Sequence, residues 1–380
     1  MVAPKLRFQE FDGDWAKSKL GDEAQFFQGE QVSLDDQYSE YSSGLTKFLR
    51  IENFTQKSKD FRYIKYSGSP EKILTETDIA IVRYGATAGF ICSGETGVIA
   101  NNLFKASVDN TKINQKYLEL VLKSEKTFNY FQTAMSGGAM PALNFKIVGN
   151  LDITYSSILE QTKIASFLSA VDEKISQLTQ KHQLLSQYKQ GMMQKLFSQQ
   201  IRFKADDGSA FGEWEETELG KHCQIKTGKL DANAMRPNGE FRFYTCAKEF
   251  YLIDEYAFDT EALLISGNGA NVGYIHYYKG KFNAYQRTYV LDQWQQNIIF
   301  IQYFLEQFLK ERIYGEKKEG NTPYIVLSTL SEMPLLLPCL AEQTKIANFL
   351  SAIDQKIEVV AQQIEQAKLW KKGLLQQMFV

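Results

Sequence analysis

Two stretches of the chain share one hydrophobic rhythm. From Ile164, apolar residues recur at Leu168, Val171, Ile175, Leu178, Leu185, Met192 and Leu196, an alternating four-three spacing interrupted at His182 and Lys189. From Ile346, the matching slots hold Leu350, Ile353, Ile357, Val360, Ile364, Ala367, Leu374 and Met378, with Lys371 where Lys189 stands. Each pattern predicts a long helix with a narrow apolar seam, and two matched seams in one chain predict that they pack on each other. Burial of each seam against its own domain is the alternative. Length argues against it, since a fully helical Glu160 to Gln200 would form a rod of about 60 Å, longer than a small domain is wide. His182, facing Ile364 in the alignment, reads as a half-exposed or register-setting residue on the seam.

The two helices are copies. "EQTKIASFLSAVDEKI" (Glu160 to Ile175) and "EQTKIANFLSAIDQKI" (Glu342 to Ile357) differ only at Ser166/Asn348, Val171/Ile353 and Glu173/Gln355, and "KQGMMQKLF" matches "KKGLLQQMF" in the same register. Gly191 and Gly373 share a repeat position, where close helix approach or a kink is expected. The segments before each helix correspond as well. "LRFQEFDGDWAKSKLGD" resembles "IRFKADDGSAFGEWEETELGK", pairing Phe8 with Phe203, Trp15 with Trp214 and Leu20-Gly21 with Leu219-Gly220. "TDIAIVRYGATAGFI" parallels "TEALLISGNGANVGYI", each a strand pattern, a Gly-x-x-x-Gly turn and a second strand start. A Gly then Pro turn closes each unit, Gly138 with Pro141 and Gly320 with Pro323. The organisation expected is domain (1–158), helix (159–197), domain (198–339), helix (340–380).

Composition narrows the class. The 380 residues are 44% hydrophobic and 23% charged, which is a globular balance. No apolar run approaches the roughly 18 residues that span a bilayer, and the start of the sequence lacks a signal-peptide pattern, so a cytoplasmic protein with no membrane partner is expected. Cys92, Cys223, Cys246 and Cys339 form no C-x-x-C pair and histidines number 3, so neither a metal site nor a disulfide framework is expected. Buried free thiols are.

The two domains diverge most at Lys47 to Gly68 and Lys226 to Phe250. Both stretches are locally basic and interleaved with aromatics, in a chain of net charge -2. Basic side chains neutralise phosphates while Arg, Asn and Gln read base edges, so these stretches supply candidate nucleic-acid contacts. In the first domain the candidates are Lys47, Arg50, Lys57, Lys59, Arg62, Lys65 and Arg83. In the second they are Lys226, Lys229, Arg236, Arg242, Lys248 and Arg287. The near-neutral net charge argues against a free-standing, tight non-specific binder.

Two divergent domains, each with a Gly-x-x-x-Gly strand turn and each followed by an "EQTKIA-FLSA-D-KI" helix, resemble the specificity subunit of type I restriction-modification enzymes. The resemblance covers nearly the whole chain. It implies an α+β fold in which two target recognition domains each read half of a split double-stranded DNA site, and the repeated helices form an antiparallel coiled coil with a pseudo-two-fold internal repeat. It also implies a subunit without catalytic residues, metal or cofactor of its own. Two methyltransferase subunits using S-adenosylmethionine, and ATP-driven restriction subunits joined through them, are its implied partners.

Two motifs could mislead. "NTPY" (Asn321 to Tyr324) looks like the base-holding loop of amino-methyltransferases, but its repeat counterpart "AMPA" keeps only the proline. "SGNGANVG" looks like a phosphate loop, yet its copy "VRYGATAG" lacks the first glycine, so a strand-to-strand turn is expected. The rival reading is a self-contained DNA methyltransferase or nuclease; a third is a coiled-coil adaptor whose domains bind protein or sugar. The basic, aromatic character of both variable stretches discriminates against the last.

Overall fold

The computed structural model describes residues 4–135, 141–316 and 323–379. Gly138, Gly320, Asn321 and Thr322 lie outside them, so the two glycines of the closing turns and half of "NTPY" are not described further. The chain divides into two compact units, one formed by Met1–Leu178 with Gln363–Val380 and the other by Thr179–Gln362. The division falls inside both long helices, Ile158–Phe197 and Leu340–Met378.

In the first unit, the apolar strand Ile79–Val82 is buried at every residue and lies within a four-stranded sheet ordered Ala24–Gln28, Leu103–Val108, Ile79–Val82, Ile91–Cys92. A second four-stranded sheet holds Arg62–Lys65, Leu45–Leu49, Gly97–Ile99 and Ile73–Leu74, with Leu45–Leu49 parallel to Gly97–Ile99. Helices Gln115–Leu122 and Glu125–Met135 place Leu118, Leu122, Phe131 and Met135 against Ile79, Ile81 and Phe104. The Asn114 side chain caps the first of them by accepting from Tyr117 N.

The second unit builds the same frame differently. One six-stranded sheet replaces the two, ordered Gln224–Thr227, Thr288–Asp292, Phe258–Ser266, Ile275–Ala284, Phe241–Tyr244, Tyr251–Ile253. One helix, Ile298–Gly315, takes the place of two and is capped by the Asn297 side chain. A parallel strand pairing recurs, here between Phe241–Tyr244 and Ile275–Ala284.

The long helices run antiparallel, and each unit shows it separately. In the first, Ile164, Leu168 and Val171 share a core with Leu374 and Met378 from the other helix, together with Trp15, Tyr117 and Leu120 of the domain. In the second, Met193, Leu196 and Phe197 meet Ile346, Leu350 and Ile353 beside Trp214 and Phe300. Both readings of the seams therefore hold at once: each helix begins on its own domain and ends on the other helix's. Leu178, Val360 and Ile364 are buried, whereas Ile175, Leu185 and Ile357 are half-buried. Met193 rather than Met192 takes the buried slot, because the seam rotates over the aromatic cluster of Phe300 and Phe304.

Lys189 and Lys371, which break the seams, have matched partners. Lys189 pairs with Asp354 at 2.8 Å and Lys371 with Asp172 at 2.5 Å, so each ammonium is answered across the helix pair. His182 is half-buried. A Cβ added at Gly191 or Gly373 would meet nothing within 4 Å, so these glycines do not mediate a close helix approach. The cysteines also differ from expectation. Only Cys92 is buried; Cys223 and Cys246 are half-buried and Cys339 is exposed at the start of a long helix. Burial pushes the Cys223 thiol up to about 12.

Candidate functional site

The polar triplet that opens each repeated helix ties it to its domain by the same bonds twice. Glu160, 1% exposed, receives Arg7 Nε at 2.7 Å and Arg7 Nη2 at 2.8 Å. Glu342, 0% exposed, receives Arg202 Nε at 3.1 Å and Nη2 at 2.7 Å. The arginines reach on to the carbonyls of Gly13 and Gly212. Gln161 Oε1 accepts Asn114 N at 2.8 Å, and Gln343 Oε1 accepts Asn297 N at 2.9 Å, so each glutamine clamps the start of a domain helix. Their Nε2 groups donate to Ser156 O and Pro338 O at 2.8 Å each. Thr162 and Thr344 bond the carbonyls of Ile158 and Leu340. Bidentate charge-assisted pairs at a buried carboxylate fix orientation as well as proximity, so these latches set the angle of helix to domain. Sequence reasoning did not assign these roles, although identity of the triplet in both copies was the signal.

The basic stretches look different once their partners are visible. Lys47 pairs with Glu95 at 3.1 Å and stacks over Phe61, with Lys59 on the same carboxylate. Arg50 pairs with Glu52 and Asp60, and Arg62 shares Asp60. In the second unit Lys226 pairs with Asp292 at 3.4 Å, and exposed Arg236 stands 4.0 Å from Asp254. Arg242 lies over the rings of Phe250 and Tyr278, at 4.3 and 4.5 Å, and donates to the Tyr244 hydroxyl. Strand pairing makes Arg242 the counterpart of Lys47, so one packing position holds a ring-stacked cation in both units. Lys57, Lys65, Lys229 and Lys248 are exposed, as is Arg287.

Arg83 and Arg287 stand apart from these stretches, at the rim of the glycine turns. Gly85, Gly89, Gly269 and Gly273 take positive φ of 85°, 87°, 79° and 80°, the left-handed region that glycine enters freely. Gly89 N bonds Val82 O at 2.9 Å, and Gly273 N bonds Ser266 O at 2.8 Å. Both turns join adjacent antiparallel strands, so neither is the strand-to-helix loop that cradles a phosphate. Beside them, Arg83 N bonds Asn102 O at 2.9 Å and Gly267 N bonds Arg287 O at 2.8 Å. Leu143 N and Ile325 N close the other edge, on Arg83 O and Gly267 O, at 2.8 Å each.

Among the described residues, no group of three or more His, Cys, Asp or Glu could hold a metal ion, and no helix is long and apolar enough to cross a membrane.

The family described as "Type I restriction modification DNA specificity domain" matches this chain twice, at residues 12–187 and 212–369. A segment is 39% identical over 155 residues to the type I restriction enzyme EcoDI specificity subunit of Escherichia coli, covering 40% of this chain and 34% of that protein. The MjaVIII specificity subunit of Methanocaldococcus jannaschii is 25% identical over 396 residues, covering 95% of this chain and 91% of that protein. The chain thus spans about one third of the first relative and nearly all of the second. Among solved structures, the type I restriction-modification S subunit from M. genitalium has the same fold, with a TM-score of 0.67 at 18% identity over 100% of this chain and 99% of that one. A chain from a structure on complex assembly and conformational transition of the type I system gives 0.54 at 15% identity, over 95% and 96%. The two matched segments take in most of both domains and both long helices, and the family they match is that of the specificity subunit rather than of a self-contained methyltransferase or nuclease. This chain belongs to the DNA specificity family of type I restriction-modification systems, as the non-catalytic subunit that recognises DNA and takes part in assembling the complex.

Proposed function

We propose that the two domains, taken as residues 1–158 and 198–339, each read one half of a split double-stranded DNA target, while the helices at 159–197 and 340–380 present two near-equivalent surfaces to two methyltransferase subunits. S-adenosylmethionine and ATP belong to the partners: the first to the methyltransferases, the second to restriction subunits joined through them. The complex works in the cytoplasm. The observation that carries this reading is the duplication of the latch around two unlike recognition faces. A symmetric operator is ordinarily met by a protein dimer. Here one chain supplies both halves, so the half-sites are free to differ.

The candidate contacts sort by partner. Lys57, Lys65, Lys229 and Lys248 supply phosphate contacts, which position without specifying. Lys47, Arg50, Lys59, Arg62, Lys226 and Arg242 hold the recognition face in shape through acids and rings, and reach DNA only at its edge, while the open Arg236 joins the lysines as a phosphate contact. Arg83 and Arg287 read.

Exchange of the first domain, taken as residues 1–158, for one of the same frame tests the reading, in complex with the methyltransferase. Sequencing of methylated sites should show one half-site replaced and the other retained. Alteration of both, or of neither, would exclude independent reading.

A further inference from the structure

The two glycine-turn rims are built on the same backbone bonds but receive their side chains from opposite strands. At the first bonded pair, Arg83 faces Asn102 in one unit, and Gly267 faces Arg287 in the other. At the next position, Tyr84 bridges Ala142, while the counterparts are Asn268 and Tyr324. Each rim therefore presents one arginine and one exposed tyrosine, Tyr84 at 41% and Tyr324 at 58% exposure, and each has exchanged the strand that supplies both. Sterics explain the second arrangement. A Cβ at Gly267 would stand 2.4 Å from the Arg287 carbonyl oxygen and 3.0 Å from the Tyr289 ring, so that strand admits no side chain there and the arginine must come from across the pair.

These arginines are chemically unlike those of the basic stretches. No carboxylate among the described residues pairs with Arg83 or Arg287, whereas Arg50 and Arg62 are held by Asp60. Arg83 lies over the Tyr84 ring at 4.8 Å, which orients the guanidinium plane. Its buried Nε and the buried Oδ1 of Asn102 have no hydrogen-bond partner among the described residues; Arg50 Nε shares that state, but Arg50 has carboxylates on its terminal nitrogens and no open asparagine beside it. Buried polar atoms are ordinarily satisfied, so an arginine and an asparagine left open at one rim mark a place where a ligand supplies the missing bonds. A planar guanidinium with unpaired terminal nitrogens fits the O6 and N7 acceptors of guanine, the commonest specific contact in the major groove.

We propose that Arg83 and Arg287 each read one guanine, in the half-sites of the first and second domains respectively, with Tyr84 and Tyr324 flanking them as stacking or phosphate contacts. The inference rests on the reading of each domain as an independent half-site reader. Arg83→Ala, Arg83→Gln and Arg287→Ala, assembled with the methyltransferase, would be given a library of randomised split targets, and the methylated products sequenced. Arg83→Ala should lose preference at one G·C pair of the first half-site by roughly 5- to 150-fold, with the second half-site unchanged. Arg287→Ala should do the reverse. Arg83→Gln, which keeps two polar arms, should shift that position toward adenine. A uniform loss over all targets would make these arginines phosphate contacts and overturn the proposal, as would an unchanged profile. The domain exchange run in parallel separates the two failures. If exchange moves one half-site while the arginine variants move nothing, only this proposal falls; if exchange moves both or neither, the half-site reading falls with it.

Discussion

Arg7 and Arg202 make the same contacts in the two units, on Glu160 and Glu342 and on the carbonyls of Gly13 and Gly212. Around Arg50 and Arg236, nothing is shared. Arg50 is gripped by Glu52 and Asp60, and Arg236 stands open with Asp254 at 4.0 Å. The difference follows from what each region must satisfy. A buried carboxylate tolerates one geometry, because an unpaired charge out of water is costly, and so the latch keeps its partners. An exposed charge is tied only by weak, screened pairs, and so the basic stretches can change without disturbing the frame.

Several changes would strain this division, the most severe first. A four-residue insertion between Gln183 and Gln190 carries Met193, Leu196 and Phe197 forward by about 6 Å while the other long helix is unchanged. Because that helix packs on both ends of its partner, in separate units, the two sets of contacts cannot both survive. Methylation should be lost. A second four-residue insertion between Ile364 and Lys368 should restore it, on targets whose gap is longer by about two base pairs at 3.4 Å each. Rescue on the parental gap would mean that the helices do not set the spacing.

Next come the latches. Glu342→Ala leaves Arg202 without its partner and should cost about 3 kcal/mol or more in urea unfolding. Glu160→Ala should cost less, since Glu342 also accepts Trp214 Nε1 at 3.2 Å while Trp15 Nε1 finds no partner. Equal losses would show that the indole bond contributes nothing.

Acid should separate the units more gently. Glu119 is 4% exposed. Burial alone would raise its carboxyl, but hydrogen bonds from Lys116, Lys123 and Ser93 outweigh it and hold the group down at about 2. Its counterpart in the second unit is the uncharged Gln302. A carboxyl depressed from 4.5 to about 2 stabilises fully above 4.5, and that contribution is lost as the pH falls from 4.5 toward 2. The first unit should therefore loosen before the second across that window, by on the order of 1–2 kcal/mol. Amide exchange at pH 3 reads the order, and Glu119→Gln should abolish the difference. The smallest effect belongs to the seam lysines. Lys371→Met and Lys189→Met break half-exposed pairs and should each change stability by no more than about 1 kcal/mol in thermal melts.

The helices were legible because heptad spacing and near-identity reinforce each other, and the glycine turns because a positive φ restricts the residue at Gly85 and Gly269. The latch roles were not, since Arg7 lies far from Glu160 in sequence and nothing local to "EQT" reveals its partner. The charge pairing within the basic stretches was not legible for the same reason. Glu95 neutralises Lys47 and Lys59 from outside the stretch, so local composition overstated the free positive charge. Gly191 and Gly373 show the opposite error, a repeated glycine with no close neighbour to explain it.

The first unit is finished by residues that the ribosome makes long after the rest of that unit. Leu374 and Met378 complete the core around Trp15 and Ile164, and Leu6 N bonds Gln377 O at 2.9 Å. During synthesis, the domain at the front of the chain must wait with Ile164 and Leu168 uncovered until more than half of the sequence has followed. The second domain, whose helix ends are both available earlier, can close first. A nascent chain halted before Gln363 would hold every segment of the second unit while the first still lacked its closing helix.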